Sequence, residues 1–269
     1  MRAIRIIGVG MLMAISALTS ASAADVRIQA GDITDNRQME AKEMAQPRLE
    51  QLLSKLAKGE QVTIVALGDS NTELTFHTRG YLNWTGLLQE ALYEKYGANR
   101  VIMINAGCSG ESASGGLARL DRDVLRFSPD LVIICYWDGN MDALRKIVQK
   151  IRASGKAEVL LRTPNPVIAV NQPPVTPAVV AGKEWPGSDK GEVAKKIVAL
   201  GKELNVPVVD HYKSWMEADA SHDGPPVSNP NKLWMRMSDS FHPGPSGHLA
   251  FYRDLAPFFG LPTKLSWEF

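Results

Sequence analysis

Two short motifs near opposite ends of the chain hold residue types that can do chemistry together: Gly68-Asp69-Ser70-Asn71 and Asp239-Ser240-Phe241-His242. A serine hydroxyl is a weak nucleophile near neutrality. It needs an imidazole to take its proton and a carboxylate to hold that ring in one tautomer. The first motif follows Val62-Thr63-Ile64-Val65-Ala66-Leu67, an apolar, β-branched run that reads as a buried strand, so Ser70 stands at a strand's C-terminal edge. In the second, the carboxylate lies three residues before the imidazole, close enough to orient it. Ser70 as nucleophile, His242 as base and Asp239 as orienter point to the chemistry of a serine hydrolase.

The elements that must position these groups alternate. Strands are predicted at 62–67, 101–105, 131–136, 157–162 and 206–209, and helices near 38–58, 84–96, 114–126, 142–154, 189–204 and 246–258. Such alternation implies a parallel sheet wrapped by helices on both faces, with the ligand site outside the carboxyl ends of the strands. Ser70, Gly110, the segment from Trp137 to Asn140, and Asn165 all fall just after predicted strands. The Pro-rich stretches 164–186 and 214–238 are expected to be long loops that shape a binding site.

From Val62 to about Phe259 the chain resembles the SGNH hydrolases, or GDSL-type esterases. The motifs that carry the resemblance are Ala66-Leu67-Gly68-Asp69-Ser70-Asn71, Asn105-Ala106-Gly107-Cys108-Ser109-Gly110-Glu111-Ser112 and Asp239-Ser240-Phe241-His242-Pro243. The resemblance implies a three-layer α/β/α sandwich around a central, mainly five-stranded parallel sheet, the flavodoxin-like form of this family. It also implies the catalytic triad Ser70, His242 and Asp239, and an oxyanion hole built from the N–H groups of Ser70 and Gly110 with an asparagine side chain. The chain departs from the family at that asparagine. Where the family shows Gly-x-Asn-Asp, it reads Trp137-Asp138-Gly139-Asn140, and only a one-residue shift brings Asn140 into place as the third donor.

Other candidates carry less. An Asp210-His211 pair is conceivable, but adjacent residues rarely aim side chains at each other; His248 reads as a structural residue, and His77 and His222 as loop residues. Gly110-Glu111-Ser112-Ala113-Ser114 lacks the final glycine of a nucleophile elbow, and Ser112 reads as a helix N-cap. The histidines and cysteines lack metal-ligand spacing, and no cofactor is expected.

Residues 1–23, with Arg2 and Arg5, the apolar stretch Ile6–Leu18 and the small-residue end Ala21-Ser22-Ala23, read as a secretory signal peptide. Residues 24–60 read as a leader and helix, and 61–269 as the hydrolase domain. Removing the signal takes the net charge from +1 to −1, which favours neither nucleic acid nor a membrane surface as partner. The expected location is periplasmic or secreted, without stable membrane insertion. Cys108 and Cys135 should end strands that flank a third; two strand spacings, about 9.6 Å, exceed the roughly 7 Å reach of a disulfide. Two free, mostly buried thiols are expected. Exported family members often deacylate carbohydrate, and Trp84, Trp137, Trp185, Trp215 and Trp234 offer faces for sugar stacking, although most of these should be packing residues. The expected substrate is an acetyl ester of a carbohydrate; a lipase or thioesterase on the same triad and a silent carbohydrate-binding relative remain open.

Overall fold

The computed structural model describes residues 49–73, 78, 81–168, 188–221 and 232–266. Five parallel strands form one sheet in the order β2-β1-β3-β4-β5: β1 Val62–Gly68, β2 Val101–Gly107, β3 Leu131–Cys135, β4 Glu158–Arg162 and β5 Val208–Val209. The chain places β2 on one side of β1 and β3 on the other, so the strand order switches at β1. Ser70 lies just beyond that strand, where open α/β sheets bind ligands.

Alternate residues of β1 enter different cores. Ile64 and Ala66 pack with Leu52 and Leu56 of α1 (Glu50–Ala57), Trp84 and Leu88 of α2 (Trp84–Tyr96) and Phe251. Val65 and Leu67 face Leu144, Ile147 and Ile151, together with Ile197 and Leu200. Because both of their faces are covered, the central strands β1 and β3 read as nearly continuous apolar runs. The three-layer sandwich expected from sequence is the observed architecture. Among the described residues, no helix is long and apolar enough to cross a membrane.

Three local expectations need correction. The helix expected at 114–126 is broken into α3 (Ala113–Ala118), α4 (Leu120–Asp123) and a 3-10 turn at Leu125–Phe127. The supposed loop 214–238 begins and ends in helix, with α7 (His211–Ala220) and α8 (Leu233–Arg236), after α5 (Met141–Ala153) and α6 (Lys190–Leu204). Finally, Cys135 is buried as expected but Cys108 is exposed; both are free, at strand ends on either side of β1. Burial pushes the Cys135 thiol up to about 12, so it is inert as a nucleophile. The 38–48 part of the first predicted helix, the 1–23 segment, Trp185, His77 and His222 lie outside the described residues.

Candidate active site

β1 ends in a tight turn in which the N–H groups of Thr72 and Glu73 both donate to the Asp69 carbonyl, at 3.0 Å each, and Ser70 is carried at the turn's crest. His242 arrives from the other end of the chain, just before α9 (Pro245–Leu255). Its Nε2 is 3.1 Å from Ser70 Oγ, and its Nδ1 is 2.8 Å from Asp239 Oδ2. The remaining Asp239 oxygen accepts the backbone N–H groups of Phe241 and His242, both at 2.7 Å. Burial raises the Asp239 pKa, but those two N–H groups and the imidazole outweigh it, and the carboxyl is held below its ordinary range. A serine hydroxyl, an imidazole and a carboxylate from opposite ends of the sequence meet in one hydrogen-bonded line.

A second carboxylate lies under the first motif. Asp69 is buried; one oxygen accepts the Asn71 N–H at 3.0 Å and the other the Trp137 N–H at 3.0 Å. It therefore ties the Ser70 turn to the segment after β3. Asn165 makes the complementary tie: its Oδ1 accepts from Asn71 Nδ2 at 3.1 Å, and its Nδ2 donates to the Phe241 carbonyl at 3.2 Å. These contacts are not legible in the sequence, although Asp69 sits inside the motif and Asn165 falls just after a predicted strand.

Burial raises the Asp69 pKa to about 6, against the Asn71 and Trp137 N–H groups and the charges of Arg162 and His242. Between about 3.8, its ordinary value, and about 6 the folded chain holds a proton that the unfolded chain has lost. Its contribution to stability therefore falls as pH rises across that window and is flat above it. At 1.36 kcal/mol per unit the change is roughly 3 kcal/mol. Thermal or urea unfolding from pH 4 to 7 should show a slope that Asp69→Asn lacks; equal slopes in both proteins would refute the assignment.

Gly110 has φ +74°, so the left-handed turn after β2 favours glycine, and the residue is exposed. Among the described residues, neither the Ser70 nor the Gly110 N–H has an acceptor. Asn140 stands at the start of a helix. Its Oδ1 accepts the Ala143 N–H at 3.1 Å as the N-cap of α5, and its Nδ2 donates to Ser114 Oγ at 3.0 Å, so the carboxamide is engaged at a helix end. Ser112 is the N-cap of α3, as its sequence context suggested.

Two further histidines among the described residues, His211 and His248, are structural. His211 accepts from Arg162 Nε at 2.8 Å through Nε2 and pairs with Asp254 at 2.8 Å through Nδ1, while Asp210 caps α7 instead of facing it. Burial first, and then the Arg162 charge, hold this ring down to about 4. His248 is buried and accepts the Trp84 N–H at 3.3 Å. Trp84 and Trp215 are core residues; Trp137 is half-buried, edge-on to the exposed Phe241 at 5.7 Å. Among the described residues, no group of three His, Cys, Asp or Glu side chains is placed to hold a metal.

Solved structures share this fold at low identity. A two-domain esterase active on acetylated mannans, crystallised with mannopentaose, superposes with a TM-score of 0.62 at 22% identity, over 79% of this chain and 52% of that one. The present chain thus spans about half the length of that esterase. Axe2, an acetylxylan esterase from Geobacillus stearothermophilus, gives a TM-score of 0.56 at 17% identity over 77% of this chain and 98% of its own. The acetyl xylan esterase AlAXEase gives 0.58 at 18%, over 72% and 98%. Axe2 variants changed at a serine, at an aspartate and at a histidine three positions after that aspartate are each described as catalytic mutants. No curated protein matches this chain. The profile of one family covers residues 66–250, from the strand before Ser70 to the helix after His242. The chain belongs to the GDSL-like Lipase/Acylhydrolase family and, with it, to the carboxylic ester hydrolases.

Proposed function

We propose that this chain is an exported serine esterase that removes acetyl groups from carbohydrate through a covalent acyl-enzyme on Ser70. The observation that carries the reading is the line from Ser70 Oγ through His242 to Asp239, with contacts of 3.1 and 2.8 Å. In the proposed reaction Ser70 Oγ attacks the ester carbonyl as His242 Nε2 takes its proton. Asp239 holds the tautomer that leaves Nε2 free to do so, and stabilises the imidazolium that forms. The N–H groups of Ser70 and Gly110 receive the oxyanion. His242 then protonates the departing alcohol, and a water activated by the same imidazole releases acetate.

With the Asn140 carboxamide engaged at α5, two backbone donors make up the oxyanion hole in this reading. An acetyl–carbohydrate substrate is supported by three features. The structural neighbours are named as acting on acetylated mannan and xylan. Exposed Phe241 and half-buried Trp137 form an aromatic edge beside His242, and an aromatic face suits a sugar ring. Residues 1–23 have the composition of an export signal.

The test is kcat/KM on nitrophenyl esters from acetyl to palmitoyl, beside acetate release from acetylated xylan and mannan. The acetyl ester should be the best of the series and acetate should appear from at least one polysaccharide. A maximum at long chains would place the protein among the lipases of its family instead.

A further inference from the structure

We infer that Glu111 and Arg119 form a clamp that fixes the spacing of two oxyanion donors, the N–H groups of Ser70 and Gly110; the inference rests on the reaction proposed above. Glu111 is the residue immediately after Gly110. Its carboxylate receives Arg119 Nε at both oxygens, at 2.8 and 2.7 Å, and the Tyr136 hydroxyl at 3.1 Å. The same guanidinium reaches back through Nη2 to the carbonyl of Gly68, at 3.3 Å, two residues before Ser70. That carbonyl also accepts the N–H of Cys108, at 2.9 Å, two residues before Gly110. The contacts close a ring from Gly68 through Cys108, Gly110, Glu111 and Arg119 back to Gly68. The Gly110 N–H belongs to this ring, and the Ser70 N–H follows it by two residues, through Asp69.

The chain is shaped to seat this ring. A Cβ on Gly115 would lie 2.7 Å from Glu111 Cγ, and one on Gly116 would lie 2.0 Å from the Tyr136 hydroxyl, so the start of α3 carries glycine where the clamp passes. The Arg119 and Glu111 side chains are only 10% and 14% exposed. Hydrogen bonds of this kind are little screened and their loss is felt. Glu111 and Asp123, the latter 3.2 Å from Nη1, already match the Arg119 charge, so the guanidinium acts by placing the backbone and not as a cation on the oxyanion. A planar fork can hold Glu111 and Gly68 at once, whereas a lysine ammonium cannot reproduce both contacts. Misplacing a catalytic donor by about 1 Å costs on the order of 10²-fold in rate.

The test compares the wild-type chain with Arg119→Lys, Glu111→Gln and the double variant on nitrophenyl acetate, with phenylboronic acid as the tetrahedral mimic bound at the nucleophile. Arg119→Lys should lower kcat by about 10- to 100-fold, leave KM within about twofold, and weaken phenylboronic acid by the same factor as kcat. The double variant should be no worse than Arg119→Lys, because the pair acts as one unit. Tyr136→Phe keeps the packed ring and loses one clamp contact; it should show a smaller loss in the same direction, and it keeps the test open if the charge variants do not fold. Folded variants with wild-type kcat, or a fall in kcat with unchanged phenylboronic acid affinity, would overturn the clamp. A wild-type chain that hydrolyses no ester and whose Ser70 resists a fluorophosphonate would instead remove the reaction, and the clamp with it.

Discussion

Ser70→Ala and His242→Ala are each expected to lower acetyl-ester hydrolysis by about 10⁴- to 10⁶-fold while the fold survives. The magnitude follows from the geometry. Ser70 Oγ and His242 Nε2 are 3.1 Å apart, and either deletion removes the same proton transfer. What remains is the binding of the ester and the two backbone donors, so the double variant should be no slower than the worse single one. Neither side chain is a core residue: His242 is one-quarter exposed and Ser70 is half-buried at the crest of its turn. Circular dichroism and unfolding temperature should therefore stay close to those of the wild type. Normal turnover of nitrophenyl acetate by folded Ser70→Ala would contradict the nucleophile assignment directly.

Much of this site was legible in the sequence because its parts are local. A buried parallel strand must be an apolar run, so β1 was read to within one residue, Val62–Leu67 against Val62–Gly68. The motif at its end then placed Ser70. The Asp239 to His242 spacing sufficed for their contact because a short turn brings residues three apart within reach.

Tertiary contacts were not legible. Helix α7 is not legible because the residues it buries are His211, Trp215 and Asp219, and apolar periodicity does not mark a largely polar buried face. Two of them are polar because they meet Arg162 and the Leu233 N–H, on distant parts of the chain. Helix 114–126 was read as continuous because its apolar pattern is, whereas the chain breaks near Arg119, whose guanidinium joins Glu111 to Gly68. Asn just before a helix is an ordinary N-cap, and Asn140 takes that place at α5.

Asp239→Asn should leave the fold and the substrate affinity close to wild type yet lower kcat by up to about 10⁴-fold. The substitution keeps one oxygen, which can still accept the N–H groups of Phe241 and His242, now met at 2.7 Å each, so the loop that carries the imidazole has no reason to move. The other oxygen becomes an amide NH₂ facing His242 Nδ1 at the present 2.8 Å. Two donors cannot share that contact, and the ring relieves it by moving its proton to Nε2, where Nδ1 becomes the acceptor. Nε2–H then faces Ser70 Oγ and has no lone pair with which to take the serine proton. The fault is one of tautomer, so at high pH, where hydroxide can replace the imidazole as base, the deficit against wild type should shrink. Asp239→Ala removes both functions of the carboxylate; the loop also loses the acceptor of its two N–H groups, and KM should rise along with the fall in kcat. If Asp239→Asn kept wild-type kcat, His242 would not depend on this carboxylate for its orientation, and the three-residue line would reduce to a Ser70–His242 dyad.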